Sequence, residues 1–309
     1  MHRPPRRRFN FDRLIRRCNT HDPTLYVPLT VDASEDLPPA VVGLVRKDFV
    51  ERLRPFHHVF DWSRIHNALH LRSEFSTEPQ RTAAMQEVAK ALKPETWRGE
   101  AYGAVRDDRH SEPWFRIDRS ASTFFGISQF GCHLNGYVRD LSHHNTTSVW
   151  LGVRSSTKAI HPGKLDTLVG GGLPWDLSPL ENMLKEAEEE AGLTLDDLGR
   201  AIRSTGALTY RNDERQGFKH NTMFTFDVEL PPSWQPVNTD GEVAGFHLWP
   251  MDDVLELLQS QPDEFKPDVC LVLLDFAIRQ GHLSSADFES PVAYARLCSS
   301  LHSWSCHKI

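Results

Sequence analysis

Four glutamates fall within the five positions 186 to 190, as Glu186, Glu188, Glu189 and Glu190, a short way after the glycine run VGGG at 169–172. Carboxylates one helical turn apart supply the hard oxygen ligands that Mg2+ or Mn2+ prefers, and a divalent ion would remove the repulsion among them. A hydrated acidic helix face is the competing reading, because like-charge pairs cost only about 0.2–0.5 kcal/mol each. Glycines just ahead of the helix let the backbone approach a ligand closely, which favours the cation site.

The helix that carries these residues is marked at both ends. Ser178, Pro179 and Glu181 form an N-cap, a first-turn proline and the reciprocal glutamate of a capping box. Gly192 followed by apolar Leu193 reads as a left-handed C-cap. Winding residues 179–191 at about 100° each gathers Leu180, Met183, Leu184, Ala187 and Ala191 toward the core. Glu186, Glu189 and Glu190 share one rim, with Glu190 beside the apolar edge, while Glu181, Lys185 and Glu188 face water.

Around this helix the sequence predicts strands in CHLNGYV, SVWLGVR, RSTGALTY, NTMFTFDVEL and AGFHLWP. Two helices follow, MDDVLELLQS and the apolar KPDVCLVLLDFAIRQ, so this half is α/β. The segment before about residue 120 mixes a helix near FDRLIRRC, a strand AVVGLVR and a helix over 78–93, the pattern of a smaller α+β N-terminal domain. Three units are expected: 1–120, 121–285 and a tail at 286–309 packing on the second.

Composition narrows the classes. With 309 residues, 39% hydrophobic and 25% charged, the chain is globular. A formal charge of -7 argues against nucleic acid as a partner, and the only basic run is MHRPPRRR at the start. The longest apolar run, VCLVLL, is far too short to span a bilayer. Five scattered cysteines without a C-x-x-C pair suit reduced thiols and a cytoplasmic location; an arginine-rich mitochondrial leader is disfavoured by Asp12.

The glycine-to-glutamate spacing resembles the Nudix box, G-x5-E-x7-R-E-U-x-E-E-x-G-U with U apolar. Gly171, Glu186, Ala187, Glu189, Glu190, Gly192 and Leu193 match; Leu177 and Lys185 depart from its early glutamate and its arginine. In the family those two brace each other, so their joint loss leaves no orphan. The stretches FRIDRSASTFFGISQFGCHLNGYV, VRSSTKAIHPGKLDTLVGGGLP, LENMLKEAEEEAG and FTFDVELP with PVNTDGEV extend the likeness. Together they resemble the Nudix subfamily related to the N-terminal half of fungal thiamin pyrophosphokinases.

That resemblance implies a Nudix α/β/α sandwich after the N-terminal domain. It also implies Mg2+- or Mn2+-dependent hydrolysis of oxidised or otherwise damaged thiamin diphosphate to the monophosphate plus phosphate. Glu186 and Glu190 would be the principal metal ligands, with Glu189 a third ligand or the general base. Glu242 in NTDGEV, or Asp240, would complete the set from a loop. Arg154, Lys158 and Lys164, beside Gly171 and Gly172, would bind phosphates, with Arg215 and Lys219 as weaker options. Phe124, Phe125 and Trp175 would offer faces to a cationic organic group.

Loop cations and buried aromatics have ordinary structural roles as well, so these assignments remain open at this level. A Nudix hydrolase of another nucleoside or dinucleotide diphosphate is one alternative, and a non-catalytic binding module is another. The N-terminal domain is expected to cap the pocket. The adjacent His143 and His144 do not suit zinc, and the serines of RSAS lack a recognisable base.

Overall fold

Residues 217–229, GFKHNTMFTFDVE, must serve two faces at once, and strand periodicity does this by sending alternate side chains to opposite sides. The computed structural model describes residues 8–33, 37–63, 67–92, 97, 99–105, 112–140, 146–194 and 201–302. His143 and His144 lie outside these residues, as do the first seven positions and Cys306.

The first unit contains β1 (Tyr26–Val31), β2 (Ala40–Arg46), β3 (Phe60–Ser63) and β4 (Ala68–Leu71), in the sheet order β2-β1-β4-β3. Helices α2 (Lys47–Leu53) and α3 (Glu78–Leu92), the hairpin β5 (Ala101–Ala104) with β6 (Phe115–Asp118), and the single turn α4 (Ser122–Phe125) complete it. Their apolar side chains form one core running from Val27 to Ile127.

The second sheet has seven strands. β7 (Ser128–Asp140), β8 (Thr146–Arg154), β11 (Arg203–Glu214), β12 (Gly217–Glu229) and β13 (Val243–Pro250) take the order β11-β12-β7-β8-β13. β9 (Leu165–Thr167) pairs with β8, and β10 (Val169–Gly172) pairs with β7. β12 runs parallel to β7, with Asn221 beside Gln129 and Met223 beside Gly131. On one face of this sheet lies the predicted acidic helix, α5 (Pro179–Ala191), whose Met183, Ala187 and Ala191 pack with Cys132 and Leu134 of β7. The other face is covered by α6 (Met251–Ser260), α7 (Pro267–Arg279) and α8 (Pro291–Leu301). The architecture is therefore an α/β/α sandwich preceded by an α+β unit.

Two particulars differ from the pattern read along the chain. Leu180, expected in the apolar wedge of α5, is 46% exposed in the first turn of the helix, while polar Asn182 is fully buried and donates to the Gly172 carbonyl. Helix α1 (Asp12–Cys18) sits early in the chain, yet its Leu14 and Cys18, with Phe11, belong to the core of the second sheet. Phe9 bridges to Phe288, and Phe9 N–H donates to the Asp287 carbonyl at 2.8 Å.

Both predicted ends of α5 are present. Ser178 Oγ accepts from Glu181 N–H at 3.2 Å, and Glu181 Oε2 accepts from Ser178 N–H at 2.8 Å. Such a cap contributes about 1 kcal/mol. Gly192 closes the helix at φ 67°, a conformation that would strain a residue with a β-carbon.

Candidate active site

Strand β10 and helix α5 touch at the glycines of the strand. Gly170 N–H donates to Glu190 Oε2 at 2.9 Å, and Asn182 Nδ2 donates to the Gly172 carbonyl at 3.1 Å. A β-carbon on Gly171 would lie 2.5 Å from Glu186 Cδ, so the glycine is what admits that carboxylate against the strand. Glu190 is only 5% exposed. Burial pushes its carboxyl up to about 8; the Gly170 N–H opposes this, and the charges of Asp166 and Glu186 add to it. Glu186 is also raised by burial, against the pull of Lys185. Glu189 is half exposed and pairs with Lys185 Nζ at 2.9 Å. The family-type arginine position is thus filled by a lysine that neutralises this side of the rim.

The loop before β13 is tied to the end of α5. Thr239 Oγ1 and N–H both donate to the Glu189 carbonyl, at 2.7 and 3.2 Å, and Val237 N–H donates to that of Ala191 at 2.9 Å. Asp240 Oδ1 in turn accepts Glu242 N–H at 2.8 Å. These bonds bring one oxygen each from Glu190, Asp240 and Glu242 within 4.8 Å of one another. Octahedral Mg2+ at about 2.1 Å needs its oxygens roughly 3–4 Å apart, so this all-oxygen set fits a hard divalent ion after small adjustment. Lys158 ion-pairs with Glu242. Its ammonium pKa is lowered by burial, with Arg154 adding to the effect and Glu190 opposing it.

Asp240, Glu242 and Lys158 open on a cavity of about 280 Å³, whereas Glu190 is not on its wall and lines a smaller recess with Lys158, Glu242 and Asp166. Glu186, Glu189, Gly171 and Gly172 also line the larger cavity, as do Arg154 and Lys219. Arg154 is largely engaged: Nη1 meets Asp166 at 2.8 Å, and Nε and Nη2 donate to the carbonyls of His161 and Ile160 at 3.1 and 2.9 Å. Its visible role is to fix the 160–161 loop on the rim. Lys164 is not on the cavity wall; its backbone carbonyl accepts Arg154 N–H at 2.9 Å. Arg215 is exposed in the turn between β11 and β12.

The aromatic residues are placed differently from the expectation. Phe125 is fully buried in the core of the first unit, with its ring 6.3 Å from that of Phe60, and Phe124 stacks on Phe49 at 5.1 Å. Both belong to the core of the first unit, and neither lines the cavity. Trp175 packs on Gly103, where a β-carbon would lie 2.4 Å from its ring, and so joins β5 to the second unit.

Reading along the chain missed two groups. The first unit contributes Glu100, Tyr102 and Arg119 to the cavity. Arg119 Nη1 donates to Glu100 Oε2 at 2.9 Å, and its guanidinium lies 2.5 Å from where a Gly172 β-carbon would be. The floor of the cavity holds His133, Lys266 and Asp268. Lys266 Nζ is 3.1 Å from Asp268 and 3.8 Å from buried Asp166. Burial lowers the His133 pKa to about 4, helped by nearby Lys266 and opposed by Asp166. One signal was available: a charged KPD triplet opening an otherwise apolar helix, and a lone aspartate within LDTLV, both demand partners.

Comparisons with known proteins follow this geometry. Residues 140–269 match the NUDIX domain, and residues 10–129 match a domain of unknown function, DUF4743. The chain is 34% identical over 282 residues to Nudix hydrolase 20, chloroplastic, of Arabidopsis thaliana, covering 87% of this chain and 72% of that protein. It is 34% identical over 273 residues to Nudix hydrolase 24, chloroplastic, of the same plant, covering 86% and 72%. An uncharacterized protein of Saccharomyces cerevisiae is 30% identical over 217 residues, covering 67% and 61%. Among the described residues no helix is long and apolar enough to cross a membrane.

Proposed function

The chain belongs to the Nudix hydrolase family, and from that premise we propose a Mg2+- or Mn2+-dependent diphosphatase acting on thiamin-type diphosphates, oxidised or damaged forms above all. The observation that carries the metal-dependent part is the convergence of Glu190, Asp240 and Glu242 beside a glycine strand, at the edge of a cavity lined by Asp240, Glu242 and several cations. The thiamin-type substrate rests on the extended sequence likeness described above.

Glu190, Asp240 and Glu242 would hold the ion. When bound, such an ion supplies charge neutralisation between diphosphate oxygens and acidifies a coordinated water. Glu186, against Gly171 and with Lys185 Nζ at 3.4 Å, would take the proton from the attacking water. Water oxygen then bonds to the terminal phosphorus as the bridging P–O bond breaks, and the electron pair stays with the organic monophosphate. Glu189 balances Lys185, and Lys158, paired here with Glu242, would be free to meet a phosphate oxygen once that carboxylate is engaged elsewhere. Glu100, Tyr102 and Arg119 close the cavity from the first unit, which supports a capping role for that unit. The free thiols of Cys18, Cys132 and Cys270 fit a reducing compartment; fractionation would separate the cytosol from the plastid named for the plant relatives.

The test is turnover of thiamin diphosphate, its oxidised forms and a panel of nucleoside and dinucleotide diphosphates, with and without magnesium. Wild type should release phosphate from the thiamin series only with the metal. Glu190→Gln should lower that rate by at least about 10²-fold, the loss of a few kcal/mol of charge stabilisation. Activity confined to nucleotides would reject the substrate, and turnover unaffected by chelation would reject the mechanism.

A further inference from the structure

Two cations on the cavity wall lack the acceptors that their neighbours have. Arg119 opens a 3-10 turn (Arg119–Ala121) whose N-cap, Asp118, accepts Ser120 N–H at 2.9 Å, and its own N–H donates to the Glu100 carbonyl at 2.9 Å. The backbone is therefore fixed. Its guanidinium makes one hydrogen bond, to Glu100, and lies 5.8 Å from the Tyr102 ring centroid. Of five guanidinium N–H groups, four have no protein acceptor among the described residues. At 35% exposure the side chain is open to the cavity.

Lys219 lines the same cavity from near the start of β12. Its ammonium sits 5.7 Å from the Tyr210 ring centroid and makes no hydrogen bond or ion pair among the described residues. Burial lowers its pKa; Asp268 opposes this, and the like charges of Lys266 and Arg119 add to it, so the two unsaturated cations feel one another. Packing of α4 on β12 brings them together: a β-carbon on Gly217 would lie 2.0 Å from the Thr123 carbonyl oxygen. Gln129, which also lines the cavity, is held by Thr123, its Nε2 donating to Oγ1 at 3.0 Å.

Lys219 has no ion-pair partner among the described residues and Arg119 shares a single carboxylate, Glu100, so both keep donors for a further anion. A planar fork beside a point charge suits a phosphoryl group, which accepts from both. Resting on the diphosphatase reading, we propose that Arg119 and Lys219 form a metal-independent anion site that holds the phosphoryl group remaining on the organic product. The terminal phosphoryl then lies toward Glu186, Glu190, Asp240 and Glu242. Charge that develops on the leaving monophosphate is met by donors already in place. The first unit thereby supplies part of the phosphate grip, and not only a cover.

Calorimetric titration of inorganic phosphate into the full chain in EDTA, at low ionic strength, tests this without turnover. Wild type should bind, and Arg119→Gln and Lys219→Met should each weaken binding at least about tenfold. Lys219→Arg, which keeps the charge, should retain most of it, and Glu190→Gln should bind as wild type does or more tightly. Thermal melts of each variant confirm that it is folded. No phosphate binding by folded wild type, or binding unchanged in both neutralised variants, overturns the proposal. A chain that binds phosphate but hydrolyses no diphosphate would instead reject the catalytic reading and leave the anion site standing.

Discussion

His133 lines the cavity, yet what its surroundings change is the stability of the fold. It is fully buried, its Nδ1 is 2.8 Å from Thr167 Oγ1, and its pKa falls from an ordinary 6.5 to about 4. A histidine held neutral in the fold takes up a proton more readily when unfolded. Its stabilising contribution is therefore complete above pH 6.5 and is lost as pH falls toward 4, about 3 kcal/mol in all. Urea unfolding at pH 7, 6, 5 and 4.5 should show a shallower acid dependence in His133→Gln than in wild type; equal slopes would refute this. At Gly171 an alanine should displace Glu186, lowering turnover about 10²-fold while the melting temperature changes little. A matching drop in stability would point to strand damage instead. The carboxylate of Glu190 was legible because a helical wheel places it by local geometry alone. Arg119 and Lys266 were not, because each meets its partners across the fold and carries no local pattern.

Among the elements, those with local punctuation were legible. Helix α5 announces its ends through Ser178, Pro179 and Gly192, and the long strands β8, β12 and β13 show apolar runs or alternation. The short strands β3, β5 and β6, four residues each, have too few turns of pattern to separate from loop. Phe125 illustrates the same limit: it was expected to offer an aromatic face to a cationic group, whereas the core of the first unit claims it. The contact of α4 with β12 can be tested directly. Gly217→Ala sets a β-carbon against the Thr123 carbonyl, a backbone atom that cannot rotate away. It should cost about 1–3 kcal/mol in urea unfolding and weaken phosphate binding, because Arg119 and Lys219 stand on either side of that seam. Unchanged stability would show that the seam is looser than its geometry.

For the molecule as a whole, the two units share more than a border. Phe11, Leu14 and Cys18 complete the core under α7, and Arg17 Nη1 donates to the Pro262 carbonyl at 2.7 Å. A chain truncated before residue 121 should therefore lose cooperative unfolding or aggregate, through exposure of the apolar surface of α7. A sharp thermal transition in the truncated chain would contradict this. The same join sets a timetable for synthesis on the ribosome. Asn10 N–H donates to Gln259 Oε1 across 249 positions. At about 5–20 residues per second, the segment around α1 must wait roughly 10–50 s for its seat to be translated. Until then its aromatic and aliphatic side chains stay open to chaperones, and final closure of the catalytic half is a late, long-range event.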